Sequence, residues 1–217
     1  GNAESADVSA QGLDALGFTR AAYHAERLQS LCGSSAVAAL GDRSQQRLQR
    51  VIQAFIPACQ TARHPDQCLD HAISFLQAIV RRGSYIALLD EQISALQRVV
   101  QVFDESLWLT RSLIGHPLLL DELLDTRVIG QRMDSLDLPG QIDGLMQHHG
   151  DDAETALLAL NEFKISYTFK IACQFLFQGL PAVQASRLLT LLAELILQRC
   201  NDLAGRELQL RHGAVAG

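Results

Sequence analysis

The sequence predicts an all-α fold, a multi-helix bundle, and two observations carry that expectation. Apolar residues recur at helical spacing nearly everywhere, and no run alternates for long enough to build a sheet. Hydrophobic residues make up 48% of the chain but aromatics only 6%, so the core is mostly Leu, Ile, Val and Ala, which suit helix packing.

In chain order, Gly1-Asn2-Ala3 lacks an initiator Met and reads as a remnant of tag cleavage, residues 1–3, marking a piece of something longer. Residues 18–31 form the first helical pattern, stopped by Gly33. A second begins near Ser44, its N-cap after Gly41-Asp42, and passes Leu48, Val51, Ile52, Phe55 and Ile56 before Pro57 kinks or ends it. Asp66 opens the third, with Leu69, Ala72, Ile73, Leu76, Ile79 and Val80 on one face. It stops near Arg81-Arg82-Gly83, where cations suit the negative helix end. Short helices follow at 85–89, 93–103 and 106–114. A Leu-rich segment then starts at His116, with Pro117 in a first-turn position where its missing N–H costs nothing. It reads as an apolar turn packed into the bundle, with a docking peptide as the alternative.

Between Thr126 and Asp152 the pattern weakens around Pro139-Gly140, Gly144 and Gly150, which predicts a loop or hinge over 126–150. Two long helices follow, about 152–178 and 181–211, separated by Gly179-Leu180-Pro181 and expected side by side as an antiparallel pair. The expected division is a helical sub-bundle over 4–125, the hinge, and a long helical pair over 151–217. No fixed-period repeat of the solenoid kind occurs.

Charge and cysteine usage exclude several functions. A net charge of −6 and a pI near 5.6 leave no nucleic-acid footprint of clustered Lys and Arg. No run approaches the roughly 18 apolar residues of a membrane span. Five cysteines, Cys32, Cys59, Cys68, Cys173 and Cys200, form no CxxC pair, and the chain reads as a reduced, cytoplasmic protein without disulfides.

The sequence carries few signatures of catalytic chemistry. The chain has no Walker A sequence, no GxGxxG after a strand and no G-x-S-x-G turn. The adjacent acids Asp151-Asp152 stand at the mouth of a helix, where capping its unpaired N–H groups is the simpler role than holding Mg²⁺. His148-His149-Gly150-Asp151-Asp152 is dense in ligand types, but neighbouring loop residues seldom converge on one ion. Cys68 and His71 have a permissible zinc-ligand spacing, with Cys59 and His64 close in sequence. Core cysteine and surface histidine are the preferred reading there. Lys164 and Lys170, set among Phe163, Tyr167 and Phe169, read as amphipathic packing. By physics alone the sequence is a helical scaffold or interaction module.

Three ordered stretches resemble one family, the bacterial bifunctional glutamine synthetase adenylyltransferase/adenylyl-removing enzyme. The first is Arg82-Gly83-Ser84-Tyr85-Ile86-Ala87-Leu88-Leu89-Asp90-Glu91, similar to R-x-x-Y-L-x-L-L-x-E. The second, His116-Pro117-Leu118-Leu119-Leu120-Asp121-Glu122-Leu123-Leu124-Asp125, matches H-P-L-L-L-D-E-L-L-D. The third begins at Phe163-Lys164, passes Lys170-Ile171-Ala172 and Leu180-Pro181, and reaches Ser186 and Leu192-Ala193-Glu194. The resemblance implies the helical region between two nucleotidyltransferase domains, just before the C-terminal catalytic core, whose G-G-x-E-L-x-x-x-S-D-L-D-L mark is absent here. Leu203-Ala204-Gly205-Arg206-Glu207-Leu208 imitates that mark's start without the Ser-Asp-x-Asp.

For the parent enzyme the resemblance implies AMP transfer from ATP, with Mg²⁺, to a tyrosine of glutamine synthetase, and phosphorolytic removal. The PII signalling protein and glutamine choose between the two. For this chain it implies no catalytic, cofactor or metal residues, and coupling of regulator binding to the flanking sites. A stand-alone helical interaction module is the alternative, and a zinc-dependent helical protein a third, disfavoured one. One departure stands out: the resemblance puts Phe175 where the family usually has Asp and Lys170 in place of its Arg, and if those two form an ion pair in relatives, it is lost here.

Overall fold

In the computed structural model, which describes residues 8–124, 137–149 and 152–213, the helical periodicity becomes twelve helices, with no strand among the described residues. The chain divides into two compact units, residues 1–124 and 125–217. Asp125, Gly150, Asp151 and residues 1–3 lie outside the described residues.

The first unit contains α1 (Ala10–Ala15), α2 (Ala21–Cys32), α3 (Ser35–Ala38), α4 (Asp42–Gln60), α5 (Pro65–Ile79), α6 (Gly83–Glu91), α7 (Ile93–Glu105), α8 (Leu107–Gly115) and α9 (Leu119–Leu124). Its core is assembled where α4, α5 and α7 meet. Each contributes apolar residues at helical spacing: Val51, Ile52, Phe55 and Ile56 from α4, Ala72, Ile73, Phe75 and Leu76 from α5, and Leu96, Val99 and Phe103 from α7, all buried. Phe103 is the hub. Its ring stacks on Phe55 at 6.4 Å and meets Phe75 edge-on at 5.9 Å.

Several boundaries differ from the sequence expectation for local reasons. Ser44 is not the N-cap of α4; Gly41 is, its carbonyl accepting from the N–H groups of Ser44 and Gln45. Pro57 does not end that helix, which runs on to Gln60. Its ring faces solvent, and the helix continues past it at the cost of the one backbone bond its missing N–H would make. Pro65, not Asp66, is the first residue of α5. Pro117 sits in a turn just before α9, whose own first residue is Leu119. The short α1 and α3, both opened by serine side chains acting as N-caps, carry too little periodicity to be read in advance.

The second unit contains α10 (Leu138–His149), α11 (Ala153–Phe177) and α12 (Ala182–His212). Residues 138–149, expected within a loop or hinge, are therefore helical. Asp137 opens α10 by accepting from the Gly140 N–H through its side chain at 3.0 Å and from Gln141 through its carbonyl. Leu138 and Ile142 are buried against α11 and α12, and that burial outweighs the low propensity of Pro139, Gly140 and Gly144. The long helices α11 and α12 pack along each other as an antiparallel pair, as a short connection requires. Gly179 makes the connection with φ of 71°, and Gln174's carbonyl receives the N–H groups of Gln178 and Leu180. The Asp152 side chain caps α11 by accepting from Glu154 and Thr155 N–H groups. No helix of the described residues is long and apolar enough to cross a membrane.

Candidate functional site: a motif junction in the first unit

The first two motifs meet. Arg82 caps α6, its carbonyl accepting from the Tyr85 and Ile86 N–H groups, so Tyr85 starts the inward face of that helix. Its ring is 7% exposed, and its hydroxyl donates to Asp121 Oδ2 of α9 at 2.7 Å. The Arg82 guanidinium stands 5.9 Å from the centre of the same ring. Burial, then the hydrogen bond and charge of Asp121, push the Tyr85 phenol up to about 12, although Arg82 works against them. The phenol is therefore a permanent donor at neutral pH.

At the far end of α6, Glu91 pairs with Arg47 of α4 at 2.7 Å. Next to it, Arg50 forks onto Asp90 at 2.8 and 2.6 Å, and that hydrogen bond, against some desolvation, lowers the Asp90 carboxyl. His116 closes α8, its N–H donating to the Ser112 carbonyl, and is exposed. Pro117 occupies the following turn, and Glu122 lies beside Asp121 in the first turn of α9.

The third motif lies in the second unit and builds the α11–α12 pair. Phe163 stacks on Tyr167 at 4.3 Å, and the Lys170 ammonium stands 4.7 Å from the Tyr167 ring. Lys164 shares α11 with them, and Pro181 provides the start of α12, its carbonyl accepting from Ala185. Ser186 and Glu194 are exposed on α12, the Ser186 carbonyl accepting from the Thr190 hydroxyl at 3.0 Å. Phe175 is 45% exposed.

A polar cluster that the sequence did not advertise ties α2 to α5. His24 is fully buried, and its Nε2 lies 2.9 Å from Asp66 Oδ1 while Nδ1 faces Asp70 Oδ1 at 3.4 Å without making a hydrogen bond. Asp66 also accepts from Thr19 Oγ1, Thr19 N and Arg20 N, which caps the entry to α2 from another helix. Desolvation raises the Asp66 carboxyl, but these bonds and that to His24 together outweigh it and hold it at about 2. An ionised carboxylate only accepts, so Nε2 carries its proton. Asp70 pairs with Arg20 and Arg27 at 3.0 and 2.9 Å. The signal available in the sequence was Asp66 and Asp70 one turn apart on α5.

The cysteine and histidine positions considered for zinc, Cys59, His64, Cys68 and His71, lie on α4, α5 and the turn between them. Among the described residues no group of three or more His, Cys, Asp or Glu is placed to hold a metal ion. His148 and His149 end α10 with their rings edge to face.

Comparison with known proteins gives these motifs a context. A family model described as glutamate-ammonia ligase adenylyltransferase matches residues 96–216. The chain is 41% identical over 192 residues to the bifunctional glutamine synthetase adenylyltransferase/adenylyl-removing enzyme of Xanthomonas oryzae, covering 88% of this chain and 20% of that protein. It is 35% identical over 205 residues to the like-named protein of Stenotrophomonas maltophilia, covering 94% of this chain and 22% of that one. The Nitrosococcus oceani protein of the same name is 34% identical over 214 residues, covering 97% and 22%. The chain thus spans about a fifth of the length of the curated relatives it matches.

Proposed function

This chain belongs to the glutamate-ammonia ligase adenylyltransferase family, and from that premise we propose that it is a non-catalytic helical region of a longer bifunctional enzyme. That enzyme attaches AMP from ATP, with Mg²⁺, to a tyrosine of glutamine synthetase and removes it by phosphorolysis, in the bacterial cytoplasm. The helical region couples binding of the PII signalling protein and of glutamine to the flanking active sites, and so regulates nitrogen assimilation. Its first unit is the regulatory sub-bundle, and its second leads toward the C-terminal catalytic core.

One observation carries this reading: the motif residues Tyr85 and Asp121 bond to each other and hold α6 against α9. Side chains committed in this way make a stiff connector, which suits a part that transmits rather than reacts. The exposed Val183, Leu197 and Leu208 of α12 favour a docking role for the second unit within the same reading.

Calorimetric titration of a PII protein and of glutamine into the isolated chain tests the coupling role, and binding of at least one is expected. No heat with either overturns that role. Incubation with labelled ATP and glutamine synthetase is expected to leave the synthetase unlabelled; AMP transfer by the isolated chain overturns the non-catalytic reading.

A further inference from the structure

Helices α1, α2 and α4 line a cavity of about 680 Å³, partly open to solvent. That volume falls in the range of pockets that hold small organic molecules. Part of its wall is apolar: Leu28 of α2 and Ile52 of α4 line it and are 2% and 3% exposed, and Ala25 adds to the α2 side. The rest is polar but uncharged. Gln29 comes from α2, and Gln49 and Gln53, one turn apart, come from α4. Gln29 and Gln49 are exposed and Gln53 is half-buried. Among the described residues these three side-chain amides have no hydrogen-bond partner. Each offers two N–H donors and a carbonyl acceptor.

The absence of charge narrows what can bind. Among the described residues no charged side chain lines the cavity. Arg27 and Arg50 stand on the same two helices, yet they turn away to Asp70 and Asp90. Burial raises the Cys32 thiol that also lines it, so this group stays protonated and neutral. A charged guest would lose water here and gain no counter-ion, which is costly. An uncharged guest escapes that cost, and its carbonyl or N–H groups meet the three free amides.

We propose that this cavity binds an uncharged small molecule with an apolar body and an amide or carbonyl head. The body lies on Leu28, Ile52 and Ala25, and the head bonds to the glutamine side chains. Free glutamine does not suit it, because both charges of that zwitterion would lie unpaired. The cavity is therefore not the site of the glutamine effector proposed above, and it stands whether or not that function holds.

Octanamide, octanoate and octylammonium share one shape and differ in charge, so titrating each into the isotope-labelled chain under NMR tests the proposal. Octanamide is expected to shift the side-chain amide signals of Gln29, Gln49 and Gln53 and the methyl signals of Leu28 and Ile52, saturably. The two ions are expected to bind about tenfold more weakly or worse. Equal binding of all three, or no saturable shift at these residues, overturns the proposal. Glutamine is expected to leave the same signals in place, and a saturable shift of them overturns it too. Gln29→Glu puts a carboxylate at an exposed position of the wall, with folding checked by circular dichroism. It is expected to bring octylammonium at least level with octanamide; an unchanged preference in the folded variant overturns the proposal. If that variant does not fold, the wild-type probe series decides alone.

Discussion

Tyr85 and Asp121 are 36 residues apart in sequence, yet the phenol of one donates to the carboxylate of the other at 2.7 Å. Each belongs to a different one of the first two motifs, and each supplies half of one contact. The carboxylate is exposed on α9 while the phenol is buried in α6, so the pair is asymmetric. Removing either half has different consequences.

Tyr85→Phe frees an Asp121 that water can solvate, and loss of about 0.5–1.5 kcal/mol is expected in urea unfolding. Asp121→Ala leaves a buried hydroxyl without its acceptor, and about 1–3 kcal/mol is expected. The Tyr85 phenol is raised from 10.0 to about 12 by folding, chiefly by burial. A raised folded value means stabilisation that is complete below pH 10 and lost as pH climbs toward 12. Urea midpoints of wild type and Tyr85→Phe should therefore converge over that interval. A gap that stays constant up to pH 12 contradicts the assignment.

Asp66 predicts the opposite limb. Its folded value of about 2 lies below the ordinary 3.8. A depressed carboxylate stabilises above the unfolded value and loses that contribution as pH falls from 3.8 toward 2. Asp66→Asn keeps the shape but weakens the bonds from Thr19, Arg20 and His24, and about 1–3 kcal/mol is expected at pH 7. The variant's deficit should shrink on acidification to pH 2.5, measured by circular dichroism in urea. A deficit that grows instead refutes the linkage.

The long helices were legible because α11 and α12 repeat apolar residues over many turns and are separated by the strong punctuation of Gly179-Leu180-Pro181. Helix α10 was not, because Pro139, Gly140 and Gly144 argue locally for a loop while Leu138 and Ile142 gain their burial only from α11 and α12. Asp137, with Pro139 in the following turn, was the start signal available there. The family motifs named Tyr85 and Asp121, but a list of motif residues does not say which of them touch. His24 was invisible for the same reason, since Asp66 lies 42 residues away and nothing local marks the pairing. Periodicity encodes which face is buried, not which polar groups meet across it.

Gly179 offers a clean test of backbone strain. Its φ is 71°, and a Cβ added there meets nothing within 4 Å, so the cost of a side chain is conformational alone. Gly179→Ala is expected to destabilise the second unit by about 1–2 kcal/mol. Gly179→Asn should recover part of that loss, because Asn tolerates the left-handed region better. Equal stabilities for the Ala and Asn variants in thermal unfolding contradict this account.

Two phenylalanines separate packing from family likeness. Phe103 is 5% exposed between Phe55 and Phe75, and Phe103→Ala is expected to cost about 3–5 kcal/mol through the cavity it leaves. Phe175 is 45% exposed on α11, at the position where the resemblance leads one to expect Asp. Much of that ring already meets water, so Phe175→Asp forfeits little burial, and a change within about 1 kcal/mol is expected in urea unfolding. If Phe175→Asp is as damaging as Phe103→Ala, the ring is doing structural work that its exposure does not reveal. If it is tolerated, the position accepts either side chain without repacking the helix pair, because it is half exposed.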